Sequence, residues 1–163
     1  MTRFSWHGYG VQVDLEATRA WYARAEDWDC RCGRCRSFLA LARERRLPGE
    51  ILDILDSLSI PPEKATYVCE LYHDRDWREK GLLYQLQWRV AGEILSQPPE
   101  ECGNGYGPQV KRPWGGVMLC HTDDNYAAPD FPEPWFAIDC TLYLPWVLDE
   151  PVDGPDFPDT KET

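Results

Sequence analysis

The sequence predicts an α+β fold, an antiparallel β-sheet with a helical hairpin packed on one face, and three observations predict it. Apolar residues recur at helical spacing in two adjacent segments between Arg34 and Leu58, whereas from Thr66 to Leu144 the spacing falls to two. Helices grouped ahead of strands suit helices segregated to one side of an antiparallel sheet. Hydrophobic residues make up 43% of the 163 residues and aromatics 13%, enough for a packed core rather than a disordered chain.

Near the N-terminus Val11, Val13 and Leu15 alternate with Gln12 and Asp14, which predicts a strand. Residues 34–46 read as a helix, because Cys35, Phe38, Leu39 and Ala42 fall on one side and the arginines on the other. Leu47-Pro48 breaks it. Pro48 suits the first turn of a second helix, in which Ile51, Leu52, Leu55 and Leu58 form a stripe and which extends through Ser57. So short a connection predicts a hairpin of helices.

Thr66–Tyr72 is rich in β-formers, and Leu82, Tyr84, Leu86, Trp88 and Val90 alternate with Leu83, Gln85, Gln87 and Arg89 as a half-buried strand does. The polar HDRDWREKG between them reads as a hairpin connection. Gln97–Gly116, with its many Pro and Gly, reads as a long irregular loop, and VMLCH at 117–121 as a short strand. In Trp135–Leu144 one face carries Phe136, Ile138, Cys140, Leu142 and Leu144, and the other Asp139 and Thr141. The whole reads as one domain over residues 1–151, followed by an acidic tail, 152–163, expected to fray. Neither an internal repeat nor a low-complexity tract is present.

The formal net charge of −11 argues against general binding to nucleic acid or to an anionic membrane, both of which need clustered cations. It suits a soluble protein, or one that meets a basic protein partner. Charge is unevenly spread: Cys30–Arg46 holds six Arg against Glu44 alone, while eleven acids and one Lys follow from His121 onward. The N-terminal residues lack the apolar core of a signal peptide, and no run reaches the ~20 apolar residues of a membrane span. The expected compartment is the cytoplasm. There the seven cysteines (30, 32, 35, 69, 102, 120 and 140) stay mostly reduced.

Chemistry concentrates in DWDCRCGRCRSF, where Cys30, Cys32 and Cys35 lie within six residues. Three thiols that close can supply several of the four soft ligands of a structural zinc. A fourth must come from elsewhere: Cys120 and His121 are adjacent on a predicted strand, and Cys69 with His73 is a second source. The same residues contain a CxxC at a helix start, where thiol pKa values fall and redox chemistry becomes possible. They also fit inert, partly buried cysteines, since Cys35 lies on the apolar helical side.

No GxSxG, HExxH, Walker loop or helix-opening GxGxxG is present. GNGYG at 103–107 lies among prolines with no helix behind it. The acid pairs Asp123-Asp124 and Asp149-Glu150 fit either a bound cation or solvated loops. Seven tryptophans (6, 21, 28, 77, 114, 135 and 146) lie outside the clearest core positions, unlike Trp88. They either pack loops onto the core or mark an interface.

As a set, DCRCGRCRSFLALA, LSIPPEKATYVCELY, GLLYQLQWRVAG and APDFPEPWFAIDCTLYLPWVLDE resemble a family of short, uncharacterised bacterial proteins. Its members carry CxCGxCRNF-like, IPPEKATYVCE-like and LPWVLDE motifs and have no assigned activity. The resemblance covers most of residues 10–151, with Ser37 where the family motif has Asn and with only part of its second cysteine motif at Cys120-His121. It implies one intact domain and a shared setting for Cys30, Cys32, Cys35, Cys120 and His121.

The functional expectation is a binding or interaction module without enzymatic activity, with zinc on a subset of those five residues. The alternative is an enzyme that is thiol-dependent through Cys32 or Cys35, or assisted by His121.

Overall fold

The computed structural model describes residues 1–99, 108–121 and 128–152. GNGYG, Cys102, Asp123-Asp124 and the acidic tail beyond Val152 lie outside the described residues. The fold is α+β, as the segregation of periods predicts. Seven antiparallel strands form one open sheet: β1 (Thr2–Trp6), β2 (Tyr9–Val13), β3 (Tyr67–Tyr72), β4 (Leu82–Ser96), β5 (Val110–Arg112), β6 (Gly115–Cys120) and β7 (Trp135–Leu144). Four helices accompany them: α1 (Leu15–Arg24), α2 (Gly33–Arg43), α3 (Gly49–Ser57) and the single turn α4 (Trp77–Lys80). The strand order is β1-β2-β4-β7-β6-β5, with β3 also paired to β4.

β4 organises the sheet. Along Leu82–Ala91 it pairs with β7, its first half also takes β3, and its last residues take β2. The change of partner falls at Gly92, whose φ of +151° and close approach to Gln12 leave no room for a side chain: a Cβ there would stand 2.1 Å from the Gln12 carbonyl oxygen.

The alternation seen in the sequence sets the core face. Tyr84, Leu86, Trp88 and Val90 stand opposite Leu142, Cys140, Ile138 and Phe136, and all eight are buried. The other face was expected to be solvated, yet Gln87, Arg89 and Asp139 are buried as well. Mutual satisfaction makes this possible. The Gln85 and Gln87 amides donate to Asp139 Oδ2 at 2.8 and 2.6 Å, and the Arg89 guanidinium lies 3.8 Å from the centre of the Trp135 ring. Burial raises the Asp139 pKa, and the two amides only partly offset it.

The two expected helices form as α2 and α3, and both contribute apolar residues to the core. Each ends without glycine. Arg45 and Ser59 take positive φ (58° and 57°), so that Arg46 N–H reaches Leu41 O at 2.8 Å and Ile60 N–H reaches Leu55 O at 2.9 Å. α2 packs closely against β3, and α1 against β4.

Several elements depart from the sequence-based expectation. The strand read at Val11–Leu15 ends at Val13, because Asp14 accepts from Ala17 N–H and starts α1. β1, α1 and α4 were not expected, and the long loop read over 97–116 contains β5 and the start of β6. Trp6, Trp77 and Trp135 are buried, and Trp21, Trp28, Trp114 and Trp146 pack partly buried against the core. Packing therefore accounts for much of the aromatic content. No helix among the described residues is long and apolar enough to cross a membrane.

Candidate metal centre

The turn that opens α2 gathers three thiols. Cys32 is the N-cap: its extended backbone leads into Gly33, and its Sγ accepts the Cys35 N–H at 3.4 Å. That bond curls the CxxC so that Cys35 returns towards Cys32. Cys30 folds over the same turn, with its Sγ 3.4 Å from that of Cys32. All three sulfurs lie within 4.8 Å of one another, and they form a cluster that can hold a metal ion. Four sulfurs around zinc stand about 3.8 Å apart when Zn–S is ~2.3 Å. The three thiols are thus within about 1 Å of ligating separation.

Their environments differ. Cys32 is exposed, Cys30 half-buried and Cys35 buried among core residues. The backbone N–H of Cys32 is the main influence lowering the Cys30 pKa. Burial drives the Cys35 thiol well up, partly opposed by the nearby Trp28 indole. That indole N–H is buried with no hydrogen-bond acceptor of ordinary geometry, and it favours a sulfur that carries negative charge. The sequence pointed to Cys30 and Cys32 as the thiols outside the core and to Cys35 as a core residue, and burial follows that division.

The turn is held from several sides. Tyr84, on the core face of β4, donates its hydroxyl to Arg34 O at 2.7 Å. Ser37 Oγ, fully buried, accepts Val147 N–H at 3.2 Å, while Arg36 pairs with Glu150. The backbone N–H of Trp28 donates to Glu63 O at 2.9 Å, which fixes the approach to Cys30. Behind Tyr84, His73 Nδ1 and Glu70 Oε1 are 2.8 Å apart, both side chains buried. Trp28 and Tyr84 were not singled out as site residues from the sequence. Only the place of Trp28, two residues before Cys30, offered a signal.

Cys120 and His121 stand elsewhere. Cys120, on β6, is buried opposite Ala137, and burial with the nearby Asp139 pushes its pKa up to about 12. The His121 ring stacks on Trp135 at 4.1 Å. Tyr84, which touches the α2 turn, pairs with Leu142, five residues along β7 from Ala137 and thus about 16 Å away at ~3.3 Å per residue. Among the described residues, the group able to hold a metal comprises Cys30, Cys32 and Cys35, without Cys120, His121, Cys69 or His73. Cys69 lies on β3 with its sulfur directed to Glu70 O. Comparison with protein-family models, curated proteins and solved structures returns no match for this chain.

Proposed function

We propose that this chain is a binding module without catalytic machinery, in which zinc on Cys30, Cys32 and Cys35 fixes the loop before α2. The observation that carries the reading is the convergence of three sulfurs within 4.8 Å at one helix start. Zinc suits thiolates and has no geometric preference beyond four donors, so three sulfurs leave one position for a further ligand. Ligation needs deprotonated sulfur, and the lowered Cys30 pKa favours it. The net charge of −11 supports a basic protein as the partner and weighs against nucleic acid.

One observation favours a second reading, a thiol-dependent enzyme: the pKa of Cys30, half-buried beside the exposed Cys32, is lowered. Cys35 does not suit that role, because burial holds its thiol protonated, and the His121 ring is engaged with Trp135. Metal analysis of the purified protein, paired with thiol titration, separates the two. The expected result is about one zinc per chain, with the clustered thiols reacting slowly until a chelator is added. A metal-free chain with one fast-reacting thiol overturns the zinc module and supports the enzyme.

A further inference from the structure

The loop that delivers Trp28 and Asp29 to the cysteine turn also forms one wall of a groove of about 710 Å³. Trp21 and Trp28 supply its aromatic surface, and Glu26, Asp27, Asp29 and Asp130 supply carboxylates. Trp21 is braced, since its indole donates to Pro129 O at 3.2 Å and its ring meets Phe131 at 4.9 Å.

Two cations, Arg24 and Lys64, also line the groove, but both are directed to backbone carbonyls: Arg24 Nε to Ala20 O at 3.3 Å and Lys64 Nζ to Tyr22 O at 2.8 Å. Asp27 is paired with Arg43 at 3.0 Å. Among the described residues, Glu26, Asp29 and Asp130 take part in no ion pair. These three carboxylates outnumber the two lining cations, and beside the indoles they complement a cation with a flat apolar surface. A guanidinium meets both demands: its planar fork accepts bidentate carboxylate pairing, and its face stacks on indole. The volume is that of an ordinary ligand cleft.

We infer that this groove receives an arginine side chain presented by a basic protein partner. The inference rests on the binding-module reading but not on the metal. Loading and arginine capture are separate properties of one loop.

An octapeptide of alternating Gly and Arg, capped at both ends, is the probe, with the matching Gly-Glu peptide as control. Binding is followed by tryptophan fluorescence and calorimetry. The full chain is expected to bind the arginine peptide one to one and to ignore the glutamate peptide. The variant Glu26→Gln/Asp29→Asn/Asp130→Asn is expected to raise Kd at least tenfold. The variant Asp53→Asn/Glu79→Gln/Glu93→Gln removes the same charge from exposed positions outside the groove, and it is expected to change Kd less than twofold. The inference is overturned if no saturable binding occurs, or if both variants weaken binding equally, which would make net charge the sole cause. Protein that carries zinc as purified but ignores the peptide sinks the groove alone, whereas protein that lacks zinc as purified but binds the peptide sinks the metal alone.

Discussion

Replacing Cys32 by serine sets helix capping and metal ligation against each other, because the two roles predict opposite signs. If Cys32 only caps α2, serine does the same work better. Its oxygen is a preferred N-cap acceptor, whereas the sulfur accepts Cys35 N–H at 3.4 Å. Capping alone therefore predicts an unchanged or higher stability, by up to about 1 kcal/mol. If Cys32 ligates zinc, one of three clustered sulfurs is lost and metal affinity collapses with it. At free zinc a hundredfold above Kd, bound metal stabilises the native state by about 2.7 kcal/mol. For a chain of this size each kcal/mol moves Tm by roughly 2–4 °C, so ligation predicts a fall of roughly 5–11 °C. Thermal unfolding in zinc-buffered solution and in excess chelator, with metal content measured on the same samples, reads the sign directly. The wild type should lose the difference on chelation, and Cys32→Ser should already lack it. A variant that melts at or above the wild type, with neither protein moved by chelator, refutes ligation and leaves Cys32 a cap.

Two further outcomes follow from the two faces of the sheet. Tyr84→Phe removes the hydroxyl that ties β4 to the first turn of α2 and should cost about 1 kcal/mol in urea unfolding. It should also weaken zinc retention, and unchanged values in both assays would show that the turn does not depend on that bond. Asp139 has a raised pKa, so its protonated form contributes stability fully below its ordinary value of 3.8, and that contribution is lost as pH rises through the folded-state pKa. Asp139→Asn keeps an acceptor for Gln85 and Gln87 without a buried charge, so it should gain on the wild type from acid to neutral pH. Urea midpoints with a pH-independent gap would refute this.

Where the chain has one clean period the sequence was legible, and where two signals overlap it was not. β7 runs over the expected residues Trp135–Leu144 because a single face of Phe136, Ile138, Cys140, Leu142 and Leu144 is packed. α1 was hidden because only Thr18 and Tyr22 of its ten residues are buried, which leaves almost no apolar stripe. Its attachment is polar: Thr18 Oγ1 donates to Asp14 O and accepts Ala91 N–H. β1 was hidden for a related reason, since its first residues are exposed and it follows only the pairing with β2. His7 and Gly8, both at positive φ, make the two-residue turn that joins these strands, so His-Gly between aromatic runs was the signal available. At the site, the clustering of Cys30, Cys32 and Cys35 was readable from spacing within one turn. The distance to Cys120 and His121 was not, because it depends on the strand order β4-β7-β6 and on a register that no local pattern encodes.

Capping and ligation at Cys32 do not compete within one molecule. The first turn of α2 presents unpaired backbone N–H groups at the positive end of the helix, and a neutral thiol is a weak acceptor for them. A thiolate is a stronger one. Three thiolates within 4.8 Å would repel one another, and the buried Cys35 resists ionisation most. A dication among them would remove both obstacles while keeping the capping bond. Cys35 is at once a core residue and a member of the cluster, so any ion it holds is tied to the packing of α2 on β3. Cys30 carries the same constraint outward to Asp29 and Trp28, and from there to the wall of the groove. A metal ion held at the turn would therefore be joined to the acidic, tryptophan-lined cleft by one short segment, Trp28 to Cys35.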